Sequence, residues 1–110
     1  MNAAVPPPAG PPATDGAIRA DGAGRFRLSG AATITTVAAL RGAGLRAFMA
    51  SSGEISVDLA ALTRVDSAGL ALLIDWLAWA RGAQRTLRFA ALPESLRALA
   101  RLSDVEAFLA

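Results

Sequence analysis

The chain has 110 residues, of which 54% are hydrophobic and 18% charged, so its length predicts one small domain. Cys and His are absent, which excludes disulfides, thiolate or imidazole metal sites, cysteine nucleophiles and a Ser-His-Asp triad. All 11 cations are Arg, and the net charge of only +2 gives no indication of a nucleic-acid-binding surface. We therefore expect no metal, no cofactor and no nucleic-acid partner.

The first segment is rich in proline. Five of the six prolines lie between Met1 and Pro12, a composition that favours extended, solvated chain. The sequence therefore predicts a disordered tail over residues 1–16 and one folded domain over 17–110. Pro8 and Pro11 also have the minimal spacing of a ligand for an aromatic groove. No basic segment followed by a long apolar run is present, so we expect no secretory signal.

Two short alternating runs, Ala17–Ala20 and Arg25–Leu28, flank the turn-rich Asp21–Gly24, which predicts a β-hairpin. A helix is predicted over 33–49. Its apolar face comprises Ile34, Val37, Leu45 and Phe48. Glycines at 42 and 44 lower the intrinsic stability of this helix by about 1 kcal/mol each relative to alanine.

The remaining pattern alternates strands with helices. Strands are predicted at Glu54–Leu59 and Thr86–Ala90, with the strongest helix, Ser67–Arg81, between them. Pro93 begins a final helix. Its predicted buried residues are Leu96, Leu99 and Leu102, and the packing is expected to continue through Val105 and Phe108. Strand–helix–strand order implies parallel crossovers. The fold class is therefore α/β, a single domain with a small mixed sheet of about four strands and helices packed on it.

The most informative segment opens the strongest helix. It comprises Asp66, Ser67, Ala68, Gly69 and Leu70. Asp66 or Ser67 can cap the helix, while the small residues Ala68 and Gly69 allow another backbone or a partner to approach closely. Both interpretations, ordinary capping and a partner-binding or phosphorylation site, are open. A nucleophilic serine is not expected, because no His or Lys is present to activate it and no GxSxG pattern surrounds it.

The same helix carries a second apolar stripe made of Leu72, Trp76 and Trp79, beside the stripe of Leu70, Leu73, Ile74 and Leu77. A surface helix normally buries one stripe. The second is therefore a secondary interface candidate, with burial by the final helix as the alternative. The longest apolar stretch is well short of the roughly 20 residues of a membrane span.

Charged residues give weaker indications. Five arginines lie in the last 30 residues, at positions 81, 85, 88, 97 and 101. They form either a solvated face or a contact with an acidic partner or lipid head groups. Asp58, Asp66 and Asp75 match no metal-binding loop and are predicted to be scattered surface carboxylates.

The segment from Ile55 to Leu109 resembles the STAS domain family. The resemblance rests on Val57-Asp58-Leu59, on the run from Val65 to Leu73, and on Leu87-Arg88-Phe89. The run 64–73 and the tail 96–103 look most like the MlaB-like branch, the small subunit of a phospholipid ABC transport system that maintains lipid asymmetry.

That likeness implies a non-enzymatic cytoplasmic subunit that binds the transporter's ATPase and reaches the membrane only through the complex. The family's hydroxyl maps to Ser67, at the ATPase-facing helix start. The alternative is an anti-sigma factor antagonist, whose partner is a kinase that phosphorylates this hydroxyl. That branch often has two hydroxyls in succession, whereas the second position here is Ala68.

Overall fold

A computed structural model of the chain describes residues 16–109. The Pro-rich tail predicted over 1–16 therefore lies outside the described residues except for Gly16, which already pairs with Gly30 in the sheet. Within the described range, no helix is both long and apolar enough to cross a membrane.

The sheet has five strands. Their bounds are β1 Gly16–Ala20, β2 Arg25–Ala32, β3 Ile55–Asp58, β4 Leu62–Val65 and β5 Leu87–Ala90. The predicted hairpin is confirmed, because β1 and β2 pair antiparallel. The predicted parallel crossovers are confirmed as well, since β2 pairs parallel with β3, and β3 with β5. The sheet is therefore mixed, as the sequence predicts.

Strand β4 is the element that the sequence analysis does not predict. It pairs parallel with the second half of β2, whereas β3 pairs with the first half. Thr63 and Arg64 are exposed, so the strand is too short and too polar to give an alternating pattern. β4 lies beside the second half of β2 and ends at Val65, two residues before the next helix begins at Ser67.

The helices are α1 Val37–Met49, α2 Ser67–Gly82, α3 Glu94–Leu102 and the short α4 Glu106–Leu109. They cover the sheet face that carries Phe26, Leu28, Ile55 and Val57, all buried. Arg19, Arg27 and Arg88 alternate with these positions and are exposed on the opposite face. The sheet thus has one covered and one open face, which is the origin of its alternating sequence.

The secondary interface stripe predicted on α2 is wrong in its main members. Leu72 is 4% exposed and Trp76 is fully buried, whereas Trp79 is half-buried. The cover comes from α1 rather than from the final helix. Phe48 of α1 packs edge-on against Trp76 with 5.2 Å between ring centroids, and stacks on Trp79 at 5.8 Å. The second apolar stripe is therefore part of the core of this chain.

Gly44 explains how α1 comes so close to α2. A Cβ atom at this position would overlap the indole ring of Trp76. Sequence analysis treats Gly44 only as lowering the stability of α1. In the structure, its missing side chain leaves the space that Trp76, the largest core side chain, occupies. The indole Nε1 of Trp76 is buried in this tight contact and has no hydrogen-bond partner within the part of the chain that the structure describes.

The C-terminal packing also differs from prediction. Leu96 is fully buried, but Leu102 is 86% exposed, and Ala100 takes the inward position one turn after Leu96. Likewise Leu109, and not Phe108, fills the core at the end of α4. Helix α3 ends at Leu102, so the predicted buried stripe does not reach the last residue of the helix.

Three of the five C-terminal arginines make contacts within the domain. Arg85 donates to the carbonyls of Phe48 and Gly53, at 2.6 and 2.8 Å, and lies over the ring of Trp79. It therefore joins the end of α1 and the loop that follows it to the loop after α2. Arg88 pairs with Glu54 on the sheet, and Arg101 bridges two acids of α3 and α4. Arg81 and Arg97 are exposed.

Candidate functional site

The start of α2 is capped by Asp66. The residue is extended, and its carboxylate Oδ1 accepts a hydrogen bond from the backbone N–H of Gly69 at 3.0 Å. An aspartate in this position satisfies one of the N–H groups that have no partner inside the helix. The capping interpretation of Asp66 is therefore correct, and Ser67 is the first residue of the helix rather than its cap.

The second oxygen of Asp66 makes a contact that sequence spacing does not show. Oδ2 accepts a hydrogen bond from the backbone N–H of Ile34 at 3.0 Å, across 32 residues of sequence. Desolvation raises the pKa of Asp66, but the backbone N–H donors of Ile34, Gly69 and Ala68 together hold it below its ordinary value of 3.8. One ionised carboxylate thus ties the loop before α1 to the start of α2.

The loop of Thr33 to Thr36 is a hydrogen-bonded turn. Thr36 Oγ1 donates to the carbonyl of Ala31 at 2.8 Å and accepts from the N–H of Thr33 at 2.9 Å. Threonine hydroxyls that bond nearby backbone in this way compete with helix formation. The helix predicted from residue 33 therefore begins only at Val37. Ile34, predicted on its buried face, lies in the loop and is 72% exposed.

Gly69 determines how closely the start of α2 approaches the end of β2. A Cβ atom on Gly69 would overlap the carbonyl oxygen of Ala32, the last residue of β2. The N–H of Asp66 also donates to this carbonyl, at 3.3 Å. Of the two alternatives for this small residue, another backbone or a partner, the structure shows the first at Gly69, because the start of α2 lies directly against the end of β2.

The predicted site residues therefore divide into two groups. Gly69 and Leu70 are buried and hold the helix start in place, whereas Ser67 is exposed and Asp66 and Ala68 are half-buried. The surface that another protein can touch consists of Ser67, parts of Asp66 and Ala68, and the adjacent loop with Ile34. No His or Lys exists in the chain to activate Ser67, so this arrangement suits binding or modification and not nucleophilic catalysis.

Sequence reasoning missed the Thr33–Thr36 loop as part of this site. A signal was present in the run Thr33-Ile34-Thr35-Thr36, in which three hydroxyls surround one aliphatic residue. Such a run is typical of a turn as much as of a helix. The other two candidate carboxylates lie elsewhere, as predicted: Asp58 is near Arg27 at 3.9 Å, and Asp75 pairs with Arg41 at 2.5 Å.

Comparison with known proteins identifies the family. A family model described as "Mlab, STAS domain" matches residues 17–110. The chain belongs to the STAS domain family. No curated protein matches the sequence.

Two solved structures share the fold. A crystal structure of an anti-sigma factor antagonist from Mycobacterium paratuberculosis is 20% identical, with a TM-score of 0.67 over 86% of this chain and 81% of that one. The anti-sigma factor antagonist SpoIIAA in its unphosphorylated form is 12% identical, with a TM-score of 0.57 over 76% of this chain and 80% of that one. The likeness confirms a single α/β STAS domain.

Proposed function

We propose that the domain is a non-enzymatic protein-binding module whose partner contacts the start of α2 at Ser67. The observation that carries this proposal is an exposed hydroxyl on the first residue of a helix whose position is fixed by buried neighbours. Asp66 and Gly69 hold the helix start on the sheet, so a partner meets a preformed surface. Preformed surfaces lose little conformational entropy on binding.

The leading form of this proposal is an anti-sigma factor antagonist that is switched by phosphorylation of Ser67. Both solved neighbours named above are described as such antagonists, and the exposed Ser67 is accessible to a kinase. A phosphate adds about −1.5 to −2 charges at neutral pH. Beside the ionised Asp66, that charge introduces like-charge repulsion at the contact surface and so weakens binding.

The test is incubation of the protein with a candidate anti-sigma factor kinase and ATP, followed by intact mass spectrometry. We expect a single added phosphate that is absent in Ser67→Ala, together with release of a sigma factor by the unmodified protein. Thr63, an exposed hydroxyl on β4, provides the matched control, because Thr63→Ala should still be phosphorylated. A phosphate that persists in Ser67→Ala contradicts this form of the proposal.

The second form is a subunit that binds the ATPase of a phospholipid ABC transporter, as the resemblance of residues 64–73 to MlaB-like proteins implies. It is supported by the description of the matching family model and by Ala68, which replaces the second hydroxyl often present in antagonists. In both forms the module acts in the cytoplasm, and in this one it reaches the membrane only through the transporter.

Pull-down from a native membrane extract separates the two forms. Recovery of an ABC ATPase that is weakened by Ser67→Glu supports the transporter form, because the variant adds a charge at a closely packed helix start. Recovery of an anti-sigma factor kinase, without any ABC ATPase, supports the antagonist form. If Ser67→Glu changes neither binding nor ATPase activity, Ser67 has no role in the transporter contact.

A further inference from the structure

Ile34 is the feature of the candidate site that packing among residues 16–109 does not explain. Its side chain is 72% exposed, whereas Leu70 and Val65 at the same edge are buried or half-buried. Single exposed apolar side chains are common on protein surfaces and by themselves indicate nothing. Met49 and Leu102 are examples, since each is the last residue of its helix. Ile34 differs because hydrogen bonds tie its loop to Asp66, the residue directly before Ser67.

Those bonds hold the loop from both sides. Its own N–H donates to the carboxylate of Asp66 at 3.0 Å. The hydroxyls of its neighbours Thr33 and Thr35 lie 3.0 Å apart, and Thr36 fixes the turn to the end of β2. An apolar side chain displayed by a rigid turn loses little conformational entropy when a partner covers it. These hydrogen bonds therefore keep the backbone of Ile34 in one position.

We propose that Ile34 is the apolar anchor of the partner-binding surface and that Asp66 is the positioning residue that keeps Ile34 beside Ser67. This inference rests on the proposed function, since it assigns to the same partner a second contact. The occupant is an apolar pocket on the protein that contacts Ser67. Burial of one rigid anchor in a pocket that excludes water is typical of the residues that dominate protein interfaces.

The chemistry around Ile34 favours a protein over a membrane. Its immediate surroundings are threonine hydroxyls and the ionised carboxylate of Asp66, which repels anionic head groups. Membrane-surface binding requires a larger apolar area together with basic residues on the polar side. A protein pocket, by contrast, needs only one aliphatic side chain and a polar rim, which Thr33 and Thr35 provide.

The first experiment measures the affinity of wild type, Ile34→Ala and Met49→Ala for the purified partner, either the anti-sigma factor kinase or the ABC ATPase. Ile34→Ala should weaken binding about tenfold or more, as expected for an anchor residue. Met49 is 62% exposed at the opposite end of α1, so Met49→Ala should stay within about twofold. Thermal unfolding of both variants should match wild type, because both side chains are exposed.

The second experiment tests the positioning role of Asp66. Asp66→Asn retains an acceptor for one of the two N–H groups but not for both, so it should weaken binding by severalfold. In the Ile34→Ala background the same change should add little, because a positioning residue acts through the side chain that it positions. Full additivity of the two effects contradicts this role, since it means that Asp66 contacts the partner independently of Ile34.

The outcomes separate the inference from the proposed function. If wild type binds the kinase or the ATPase and Ile34→Ala binds equally well, the inference is wrong and the proposed function stands. Failure of wild type to bind either protein overturns both. Sedimentation with vesicles of phosphatidylglycerol, or self-association in light scattering, that is lost in Ile34→Ala overturns the assignment of the anchor to a protein partner.

Discussion

The two parts of α2 are held in place by different forces. Its middle is held by packing, because Trp76 and Leu72 are buried against α1 and the sheet. Its start is held by the cap of Asp66, which bonds Gly69 and Ile34, and by the close approach of Gly69 to the end of β2, while Ser67 stays exposed. The buried side chains in the middle therefore contribute mainly to stability, whereas the exposed side chain at the start is available for recognition. A change in the middle should unfold the protein, whereas a change confined to an exposed side chain at the start, such as Ser67, should alter binding first.

The largest expected effect is that of Trp76→Ala. Removal of a fully buried indole from the core should lower the free energy of unfolding by about 3–5 kcal/mol, measured by urea denaturation. Leu102→Ala, at an 86% exposed position, is the control and should change it by less than about 0.5 kcal/mol. If Trp76→Ala instead kept its stability and lost partner binding, this result would support the prediction from the sequence that Trp76 belongs to an interface.

Gly69→Ala tests the boundary between the two parts. Its Cβ would meet the carbonyl oxygen of Ala32, and a backbone atom cannot rotate away as a side chain can. We expect a loss of about 3 kcal/mol, the upper part of the range for overpacking. The start of α2 should also shift, so that the N–H of Ile34 exchanges faster with deuterium. Unchanged exchange and stability would show that the close approach is not required.

Gly44→Ala should cost about 1–3 kcal/mol, because its Cβ would overlap the ring of Trp76. The intrinsic helix preference for alanine, about 1 kcal/mol, acts in the opposite direction. Gly82→Ala is the matched control, since nothing lies within 4 Å of a Cβ at that position. Combining Gly44→Ala with Trp76→Phe should recover part of the loss. A Gly44→Ala protein more stable than wild type contradicts the steric explanation.

Asp66→Ala should have a smaller effect on stability, about 1 kcal/mol, as for other helix caps. The pKa of Asp66 is lowered in the folded state, so the unfolded chain binds the proton more readily. The stabilisation is therefore complete above the ordinary value of 3.8 and is lost as the pH falls through the lower folded value. Urea denaturation of wild type and variant at pH 7 and at pH 2–3 should show the difference shrinking in acid. A constant difference contradicts this assignment.

The smallest expected effect on stability is that of Ile34→Ala, less than about 0.5 kcal/mol by thermal denaturation. The two variants should therefore behave in opposite ways. Trp76→Ala should destabilise the fold, whereas Ile34→Ala should leave folding intact and weaken partner binding. A loss above about 1 kcal/mol would show that Ile34 contributes to the core and would remove the contrast between the two parts of α2.

Sequence patterns predict most elements of this fold, the hairpin and the parallel crossovers, but neither β4 nor the helix that covers the second face of α2. Alternation places β2, β3 and β5, and apolar spacing places α2, because both periods are local. The sequence shows that α2 is apolar on two faces. It does not show that α1 covers the second face, because this depends on the close contact at Gly44. In the sequence alone, Gly44 only lowers the predicted stability of α1.

The candidate site shows the same limit. Asp66 is predictable as a cap from its position before the helix. Its second bond joins residues 32 positions apart, and no local pattern encodes it. Ile34 fits the helical period of α1, so the spacing places it on the buried face. The hydroxyl of Thr36 bonds to Thr33 and to Ala31, and the helix begins at Val37, four residues later than the spacing predicts.

The pairing of Gly16 with Gly30 has a practical consequence for every binding measurement. Because β1 runs antiparallel to β2, β1 begins at the end of the sheet at which β2 ends. Ile34 and Ser67 are exposed at this same end. The carbonyls that limit a side chain at Gly16 and at Gly69 belong to consecutive residues, Ala31 and Ala32. A fusion partner attached directly before Gly16 would therefore be tethered beside the candidate contact.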